Sequence, residues 1–249
     1  MQMTGNTILI TGGGSGIGRG WAEAFHALGN QVIIAGRRAD VLEQVVAANP
    51  GMARAVFDVE DAAALPGFVA GLIADHPGLN VLINNAGIMR AEDMLAEPYD
   101  LADAEATVVT NLLGPIRLTA ALLPQLRAQR AAAVLNVSSG LAFVPLAATP
   151  TYSATKAALH SWSQSLRYQL RQTTVQVIEV APPAVGTDLM PGSRANPHAM
   201  ALLDYTAETM ALLTANPGAI EILVQAVLRL RQAEANGSYD AVFGMINPA

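Results

Sequence analysis

The chain contains no cysteine, which excludes disulfide bonds, thiol nucleophiles and cysteine-ligated metal sites. Charged residues are also scarce, at 14% of 249 residues against about 25% in a typical soluble domain. The net charge of −6 argues against non-specific binding to nucleic acid or to anionic membranes. The four histidines are scattered without metal-ligand spacing. With 52% hydrophobic residues, we expect a large core and no metal, nucleic-acid or membrane partner.

Targeting signals are also missing from the sequence. No apolar run approaches the 18 or so residues that a membrane span needs. The N-terminus reaches a strand-like run, Thr7 to Ile10, without the basic and apolar segments of a signal peptide. We therefore expect a cytoplasmic protein. Because no linker, repeat or low-complexity tract interrupts the chain, we predict one domain over residues 1–249.

Strand-like and helical patterns alternate along the chain. We predict strands over residues 7–10, 31–35, 53–57, 81–83, 133–137, 175–180 and 239–243. Helices are predicted over 17–28, 41–48, 62–74, 99–129, about 152–171 and 220–233, and residues 182–216 are predicted to be irregular. Alternation at these lengths favours an α/β protein with a parallel sheet covered on both faces.

A glycine-rich turn, TGGGSGIGRG, joins the first strand to the first helix. Glycines let the backbone approach a pyrophosphate, and the helix N-terminus supplies free N–H groups. This order of strand, turn and helix is typical of a dinucleotide site. The spacing of Gly12, Gly16 and Gly18 departs from strict G-x-G-x-x-G, so a glycine-rich turn in another kind of α/β protein remains the alternative.

Tyr152 and Lys156 are four residues apart in a helical run, which places their Cβ atoms about 5–6 Å apart on one face. One charge about 4 Å from the phenol, at a dielectric of about 20, is worth roughly 4 kcal/mol, or about three pKa units. We therefore expect Lys156 to lower the pKa of Tyr152 towards neutrality, where acid–base catalysis is most effective. Ser139 could hold the substrate oxygen. A Tyr and a Lys at this spacing also occur together by chance.

The chain resembles the short-chain dehydrogenase/reductase family along nearly its whole length. The matching motifs are Thr11-Gly12-x3-Gly16-x-Gly18, Asn84-Asn85-Ala86-Gly87, Asn111, Ser139 and Tyr152-x3-Lys156. The resemblance implies a single Rossmann-type, doubly wound sheet of seven parallel strands in the order 3-2-1-4-5-6-7, with NAD(P) across the carboxyl ends of the strands.

The resemblance also implies roles for the matching residues. Tyr152 would be the proton donor or acceptor, and Lys156 would bind the nicotinamide ribose and lower the Tyr152 pKa. Ser139 would polarise the carbonyl, although its neighbour Ser138 is an alternative. Asn111 would help to hold a water in a proton relay, or could instead satisfy a backbone group at a helix kink.

The cofactor-binding residues that the resemblance implies lie in the glycine turn and after the strands. They are Gly12, Gly14, Ser15, Gly16, Ile17, Gly18, Arg37, Arg38, Asp58, Val59, Asn85, Ala86, Gly87, Tyr152, Lys156, Pro182, Val185 and Thr187. Asp58 would contact adenine, or could simply cap the following segment.

One motif departs from the family pattern of Pro-Gly-x-Val-x-Thr. Here the sequence is Pro182-Pro183-Ala184-Val185-Gly186-Thr187. Proline fixes φ near −65° and lacks an N–H, so the usual glycine conformation at residue 183 is not expected. This leaves open the placement of Val185 and Thr187, which match the positions that hold the nicotinamide carboxamide.

The end of the second strand predicts the choice of cofactor. An acid in this region normally binds the adenosine ribose and repels a 2′-phosphate, but Gly36 occupies its position. Asp40, four residues on, is expected to cap the next helix. Guanidinium groups suit phosphate, so Arg37 and Arg38 predict NADP(H) in preference to NAD(H). The alternative is that both arginines are ordinary surface charges.

The predicted function is therefore an NADP(H)-dependent oxidoreductase of the carbonyl reductase or alcohol dehydrogenase type. It would interconvert a ketone or aldehyde and an alcohol by hydride transfer, with Tyr152 as general acid or base. A non-catalytic NADP(H) sensor or scaffold of the same fold is the alternative. A nucleotide- or methyl-donor-binding protein of another family is less favoured, because it has no use for Tyr152 and Lys156.

Two further expectations concern partners. Residues 188–216 match the family's substrate lid and are rich in Met and Leu. Together with residues 143, 144 and 146 they predict a small, largely apolar substrate. The specific residues are Leu189, Met190, Met200, Leu202, Leu203, Tyr205, Met210, Phe143, Val144 and Leu146.

The small residues after Tyr152, beside Leu159 and Trp162, predict close helix packing in a homotetramer. They are Ser153, Ala154, Ala157 and Ala158.

Overall fold

One parallel sheet organises the computed structural model, which describes residues 1–248. Its strands are β1 (Thr7–Thr11), β2 (Gln31–Gly36), β3 (Ala53–Val56), β4 (Leu79–Asn84), β5 (Ala132–Val137), β6 (Val175–Val180) and β7 (Glu221–Ile222). They lie in the order β3-β2-β1-β4-β5-β6-β7, and each neighbouring pair is parallel. The predicted fold class and strand order are therefore confirmed.

Helices cover both faces of the sheet. They are α1 (Gly16–Ala27), α2 (Ala39–Ala48), α3 (Leu65–Asp75), α4 (Ala102–Val108), α5 (Gly114–Ala128), α6 (Pro150–Leu170), α7 (Leu202–Ala215), α8 (Leu228–Arg231) and α9 (Tyr239–Ile246). Alternate residues of a strand point to opposite faces. Accordingly, Ile8 and Ile10 of β1 join one buried cluster with Trp21, whereas Leu9 joins another with Leu118.

The stretch Ala102–Ala128 is one long helix in which a π-helical turn, Val109–Leu113, separates α4 from α5. By length and composition it could cross a membrane, since a window of it has a mean hydropathy of 1.4. The sequence predicted a helix over 99–129, and this is confirmed, but it did not predict a run long and apolar enough to span a membrane. Its residues Leu118, Leu122 and Leu126 are fully buried in the core beside the sheet. It therefore has the packing of a core helix.

The prediction that residues 182–216 are irregular is wrong in its second half, because α7 forms there. The ring of Tyr205 in α7 stacks on that of Trp21 in α1, with centroids 6.1 Å apart. Both side chains are buried. Packing between α1 and α7 thus makes much of the proposed lid a part of the core.

The predictions for the last thirty residues are also wrong. The predicted helix 220–233 begins instead with β7, which pairs with β6, and continues as a 3₁₀ turn, Gln225–Val227, and the single turn α8. The predicted strand 239–243 is the start of α9. Tyr239 and Phe243 stack at helical spacing, with ring centroids 6.1 Å apart. Since β7 has only two residues, it is too short to show the alternating hydrophobic pattern from which strands are predicted.

Candidate active site

A cleft of about 1160 Å³ lies at the carboxyl ends of β1, β4, β5 and β6. Strand order reverses at β1, because β2 lies on one side of it and β4 on the other. Ligands of open α/β sheets bind at such a switch point. Nearly all the predicted site residues line the cleft. They are Gly12, Gly14, Ser15, Gly16, Ile17, Arg37, Arg38, Asp58, Val59, Asn85, Ala86, Gly87, Ser139, Tyr152, Lys156, Pro182, Val185 and Thr187.

Gly18 lies beneath the glycine turn and allows its close packing. A Cβ atom at Gly18 would be 2.4 Å from Nδ2 of Asn85 and 2.5 Å from the main-chain oxygen of Gly12. Gly12 and Gly16 have φ angles of +67° and +54°, in the region that favours glycine. Asn85 Nδ2 donates to the main-chain oxygen of Thr11 at 2.9 Å, which fixes the segment after β4 to this turn. The start of α1 and this bare backbone fit a dinucleotide pyrophosphate.

The two arginines after β2 have different surroundings. Arg38 donates to the hydroxyl of Ser15 in the glycine turn at 3.4 Å. Arg37 lies 3.7 Å from the carboxylates of both Asp58 and Glu60, and its side chain is 57% exposed. Arg38 is therefore tied to the phosphate-binding turn, whereas acids share the charge of Arg37.

Two acids near this end of the cleft have local roles. Asp40 lies in the first turn of α2, and Arg38 takes the cap position that we predicted for Asp40. An acid in the first turn still stabilises a helix through its dipole. Asp58 accepts the N–H of Glu60 at 3.0 Å, which is the capping alternative, while it also lines the cleft.

Ser139 and Tyr152 come together in the middle of the cleft. Tyr152 lies in the first turn of α6, and the Ser139 hydroxyl is close enough to its phenol to lower the pKa of that phenol. That hydroxyl also accepts the N–H of Leu141 at 3.1 Å. Ser138 instead donates its hydroxyl proton to Glu179. The serine beside the phenol is therefore Ser139.

Burial controls the protonation of the Tyr–Lys pair. It raises the pKa of Tyr152 to about 12, although the nearby Ser139 hydroxyl acts in the opposite direction. It also lowers the pKa of Lys156 to about 8. The Lys156 ammonium lies 5.4 Å from the centroid of the Tyr152 ring. The expectation that Lys156 brings the Tyr152 pKa towards neutrality is wrong, because burial raises that pKa and only the Ser139 hydroxyl opposes the rise. With this pKa, Tyr152 is protonated at neutral pH.

Asn111 lies in the π-helical turn and is fully buried. Its Oδ1 accepts the N–H of Ile88 at 2.9 Å, and its Nδ2 donates to the Ile88 oxygen at 2.8 Å. A longer bond of 3.3 Å joins Nδ2 to the hydroxyl of Thr155 in α6. The side chain thus satisfies backbone groups, as the alternative reading of the sequence had it, and links the segment after β4 to the helix that carries Tyr152.

The Pro182–Thr187 segment reaches the cleft despite Pro183. Met200 pairs with it: the Met200 N–H donates to the oxygen of Ala184 at 2.8 Å, and the Gly186 N–H donates to that of Met200 at 2.9 Å. Val185 and Thr187 both line the cleft. A Cβ atom at Gly16 would lie 3.4 Å from the Thr187 side chain, so this segment adjoins the glycine turn.

Much of the cleft wall beyond Ser139 is apolar. Four of the predicted residues line it, Leu146, Leu189, Met190 and Met200. The others lie elsewhere: Tyr205, Met210, Leu202 and Val144 pack in core clusters, Leu203 is exposed, and Phe143 packs edge-to-face against His160. Sequence reasoning missed Leu230, Met245 and Ile246, which also line the cleft. They come from the C-terminal elements whose structure was predicted wrongly.

Comparison with known proteins identifies relatives of this arrangement. The family model for short chain dehydrogenases matches residues 6–198. The chain is 44% identical over 194 residues to the uncharacterized oxidoreductase DltE of Bacillus subtilis, covering 78% of this chain and 77% of that protein.

Two solved structures share the fold. A short chain dehydrogenase from Burkholderia cenocepacia in complex with NADP is 26% identical, with a TM-score of 0.82 and 99% of each chain covered. A 3-ketoacyl-(acyl-carrier-protein) reductase from Brucella melitensis complexed with NADH is 25% identical, with a TM-score of 0.78 over 89% of this chain and 98% of that chain. The sheet order, the glycine turn, the Ser139–Tyr152 pair and the match over residues 6–198 lead to one conclusion: this chain belongs to the short-chain dehydrogenase family of oxidoreductases.

Proposed function

We propose that this protein is an NADP(H)-dependent oxidoreductase that interconverts a ketone or aldehyde and the corresponding alcohol. Tyr152 donates a proton to the carbonyl oxygen during reduction and takes it back during oxidation. Ser139 donates a hydrogen bond to the same oxygen and holds it beside the phenol. Bound NADP(H) supplies or accepts the hydride at the carbonyl carbon.

The observation that carries this proposal is the pairing of a buried, protonated phenol with a serine hydroxyl in the dinucleotide cleft. A pKa of about 12 keeps Tyr152 protonated at neutral pH, so it can act as an acid towards a carbonyl oxygen that gains charge. General acid–base steps typically supply about 10²–10⁴-fold in rate. A sensor or scaffold would need the glycine turn but would gain nothing from Ser139 and Tyr152.

The preference for NADP(H) is the second part of the proposal. Gly36 offers no carboxylate at the end of β2, and Arg38 lies against Ser15 of the glycine turn. Relatives do not decide the matter, because one of the two solved structures above is named with NADP and the other with NADH. The argument therefore rests on the guanidinium of Arg38 and, to a smaller degree, on that of Arg37.

Turnover on a panel of ketones, aldehydes and secondary alcohols, with NADPH or NADP, tests the activity. Titration of nicotinamide fluorescence in the same preparation tests binding alone. We expect both binding and turnover. Binding without turnover of any member of the panel would favour the sensor or scaffold. A lack of binding would contradict the proposed use of NADP(H) altogether.

The substrate is proposed to be small and largely apolar. Support comes from the cleft wall beyond Ser139, where side chains from four segments converge: Met89, Leu141, Leu146, Leu189, Met190, Met200, Leu230, Met245 and Ile246. Methionine adapts to irregular apolar surfaces. If the panel yields turnover only with polyols or charged sugars, this part of the proposal is wrong.

A homotetramer is proposed from the outer face of α6. The exposed positions include Ala154, Ala157 and Tyr168, whereas Ser153 and Leu159, which we expected there, are buried. Small side chains allow close packing of two helices, and the low charge leaves apolar surface to cover. Light scattering at micromolar concentration should give a mass above that of the monomer, 25.9 kDa.

A further inference from the structure

Glu179 carries a buried carboxylate that lies outside the cleft lining. It is in β6, and 1% of its surface is exposed. Ser138 donates its hydroxyl to Glu179 Oε1 at 2.5 Å, and His160 Nδ1 lies 2.7 Å from Oε2. Because Gln164 Nε2 lies 3.0 Å from His160 Nε2 and an amide nitrogen only donates, the ring proton is on Nδ1 and points to Glu179. A buried carboxylate persists only with such partners.

The two bonds of Glu179 join the elements that carry the active-site groups. Ser138 directly follows β5 and directly precedes Ser139. His160 is one turn beyond Lys156 and two turns beyond Tyr152, and such positions share one face of a helix. Glu179 therefore connects the segment that carries Ser139 to α6, the helix that carries Tyr152.

Backbone bonds hold the same turn to β6 but do not reach α6. The Ser138 N–H donates to the Val180 oxygen at 2.9 Å, and the Gly140 N–H donates to the Pro182 oxygen at 2.8 Å. They leave the relative position of β5 and α6 to side chains. In this part of the site, two side-chain connections join these elements: Lys156 donates to the Val137 oxygen, and the Ser138–Glu179–His160 chain links the turn itself to α6.

A metal site is the other use that this cluster suggests. Ligand atoms of His160, Glu179 and Glu221 all lie within 4.8 Å of one another. However, Arg231 already holds Glu221 through two bonds of 3.1 Å, and its guanidinium stacks 4.7 Å over the ring of Phe143. A fixed positive charge at this place opposes a divalent cation. The arrangement favours a hydrogen-bonded connection.

We propose that Glu179 is a positioning residue that fixes the Ser139 hydroxyl relative to the Tyr152 phenol through its bonds to Ser138 and His160. The inference rests on the proposed function, since it concerns the rate of that reaction. A displacement of about 1 Å in a catalytic group can cost about 10²-fold in rate. The role of Glu179 is geometric, so hydrogen bonds are required and the charge is not.

Three variants separate geometry from charge and from stability. Glu179→Gln keeps both bonds, because its amide oxygen can accept from His160 while its NH₂ donates to the Ser138 oxygen. Glu179→Leu removes both bonds at similar volume, and Ser138→Ala removes one by deleting a hydroxyl. We expect kcat to fall roughly 10- to 100-fold in Glu179→Leu and Ser138→Ala. Here kcat is calculated per NADPH-binding site, with the number of sites measured by titration. Glu179→Gln should stay within about threefold, and KM and the Kd for NADPH should change little in all three.

Ser163→Ala is the matched control. Ser163 Oγ accepts from Nδ2 of Asn136 at 2.9 Å, so it also links β5 to α6 through a buried hydrogen bond, but away from the Ser139 turn. It should lower the melting temperature without lowering kcat. The inference fails if Ser138→Ala or a folded Glu179→Leu keeps the parental kcat, if Glu179→Gln loses as much as Glu179→Leu, or if Ser163→Ala loses as much as Ser138→Ala. A parent that turns over no substrate overturns the proposed function instead, and this inference with it.

Discussion

The Lys156 ammonium donates to the main-chain oxygen of Val137 at 2.8 Å, so α6 reaches across to the end of β5 just before the two serines. This bond places a buried cation at the base of the cleft, and burial lowers its pKa to about 8. Tyr152, one turn earlier, has its pKa raised to about 12 by the same cause. Burial therefore moves the two pKa values in opposite directions, so the lysine loses its proton before the tyrosine does.

Removal of the phenol hydroxyl should abolish most turnover. Tyr152→Phe keeps the ring in place and deletes only the proton donor, so folding and NADPH binding should remain. We expect kcat to fall by about 10²–10⁴-fold. Stopped-flow or steady-state assays with the best ketone of the panel measure this. A variant with a nearly parental kcat would contradict the role of Tyr152.

The pH profile of ketone reduction should follow Lys156 and not Tyr152. With a pKa of about 12 the phenol stays protonated over the usual range, whereas Lys156 loses its charge above a pKa of about 8. We expect kcat/KM to be level up to about pH 8 and then to fall by about tenfold per pH unit. Lys156→Arg should move the fall to higher pH, because a guanidinium stays charged. A level parental profile to pH 10 would rule out this assignment.

Lys156 should also limit the stability of the fold. Its pKa is about 8 in the folded state against 10.5 for an exposed lysine. Between these values the unfolded chain binds a proton that the folded chain has lost, so stability rises with pH across that range, and the whole penalty applies below pH 8. The pKa shift corresponds to a penalty of roughly 3 kcal/mol, in which the bond to Val137 is already included.

Lys156→Met should therefore raise the free energy of unfolding at pH 7 by up to about 3 kcal/mol. The gain should shrink as the pH rises from about 8 towards 10.5, because the folded chain then holds the lysine neutral. Urea unfolding at pH 7 and pH 10 measures the difference. A variant that is destabilised equally at both pH values would show that Lys156 contributes packing and not strain from a buried charge. Activity should be lost whichever result is obtained.

The cleft was predictable because its signals are local, and the order of the strands followed from the family resemblance that these signals carry. The glycine turn, the Asn84–Gly87 segment and the Tyr–Lys spacing each lie within ten residues, and the parallel sheet brings their ends together. The connection through Glu179 was not predictable, since His160, Glu179 and Ser138 come from three elements that only the folded sheet aligns. Likewise, α7 depends on the stacking of Tyr205 on Trp21, and sequence periodicity does not reveal such a contact.

The protonation of Tyr152 illustrates a second limit of the sequence. The residue spacing correctly identified Lys156 as the neighbour of Tyr152. It did not predict the desolvation of the phenol, which depends on how deeply α6 is packed. Only 6% of Tyr152 and 4% of Lys156 is exposed. At that depth the cost of charging the phenol raises its pKa, even with an ammonium 5.4 Å from the ring centroid. The sign of a pKa shift can thus be reversed by burial that no motif encodes.

Gly18 should be essential to the cofactor cleft although it does not line it. Gly18→Ala would place a methyl group 2.4 Å from Asn85 Nδ2 and 2.5 Å from the Gly12 oxygen, so the glycine turn must move. We expect the Kd for NADPH to rise by at least about tenfold. Gly67→Ala in α3 is the matched control, because its methyl group would meet none of the described atoms within 4 Å. That variant should bind NADPH normally and gain about 0.5–1 kcal/mol of stability. Equal Kd values for the two variants would contradict the role of the turn.

Arg38 should determine the choice of cofactor more strongly than Arg37. The guanidinium of Arg38 lies at the glycine turn, 3.4 Å from the Ser15 hydroxyl, whereas Arg37 is 3.7 Å from two carboxylates that offset its charge. A hydrogen bond to a charged group is worth about 1.5–3 kcal/mol, or roughly 10- to 100-fold. We expect Arg38→Ala to lower kcat/KM with NADPH by such a factor and to leave that with NADH nearly unchanged.

Two further variants, Arg37→Ala and Arg54→Ala, serve as comparisons for Arg38→Ala. Arg37→Ala should reduce the preference for NADPH less than Arg38→Ala does, because Asp58 and Glu60 already neutralise Arg37 and repel a phosphate. Arg54→Ala removes a cation that pairs with Glu43 at 2.5 Å, outside the cleft, and should not change the preference. Steady-state assays with both cofactors, repeated at high salt, give the three ratios. If the parent prefers NADH, or if Arg54→Ala shifts the ratio as much as Arg38→Ala, then the preference does not come from a phosphate contact at Arg38.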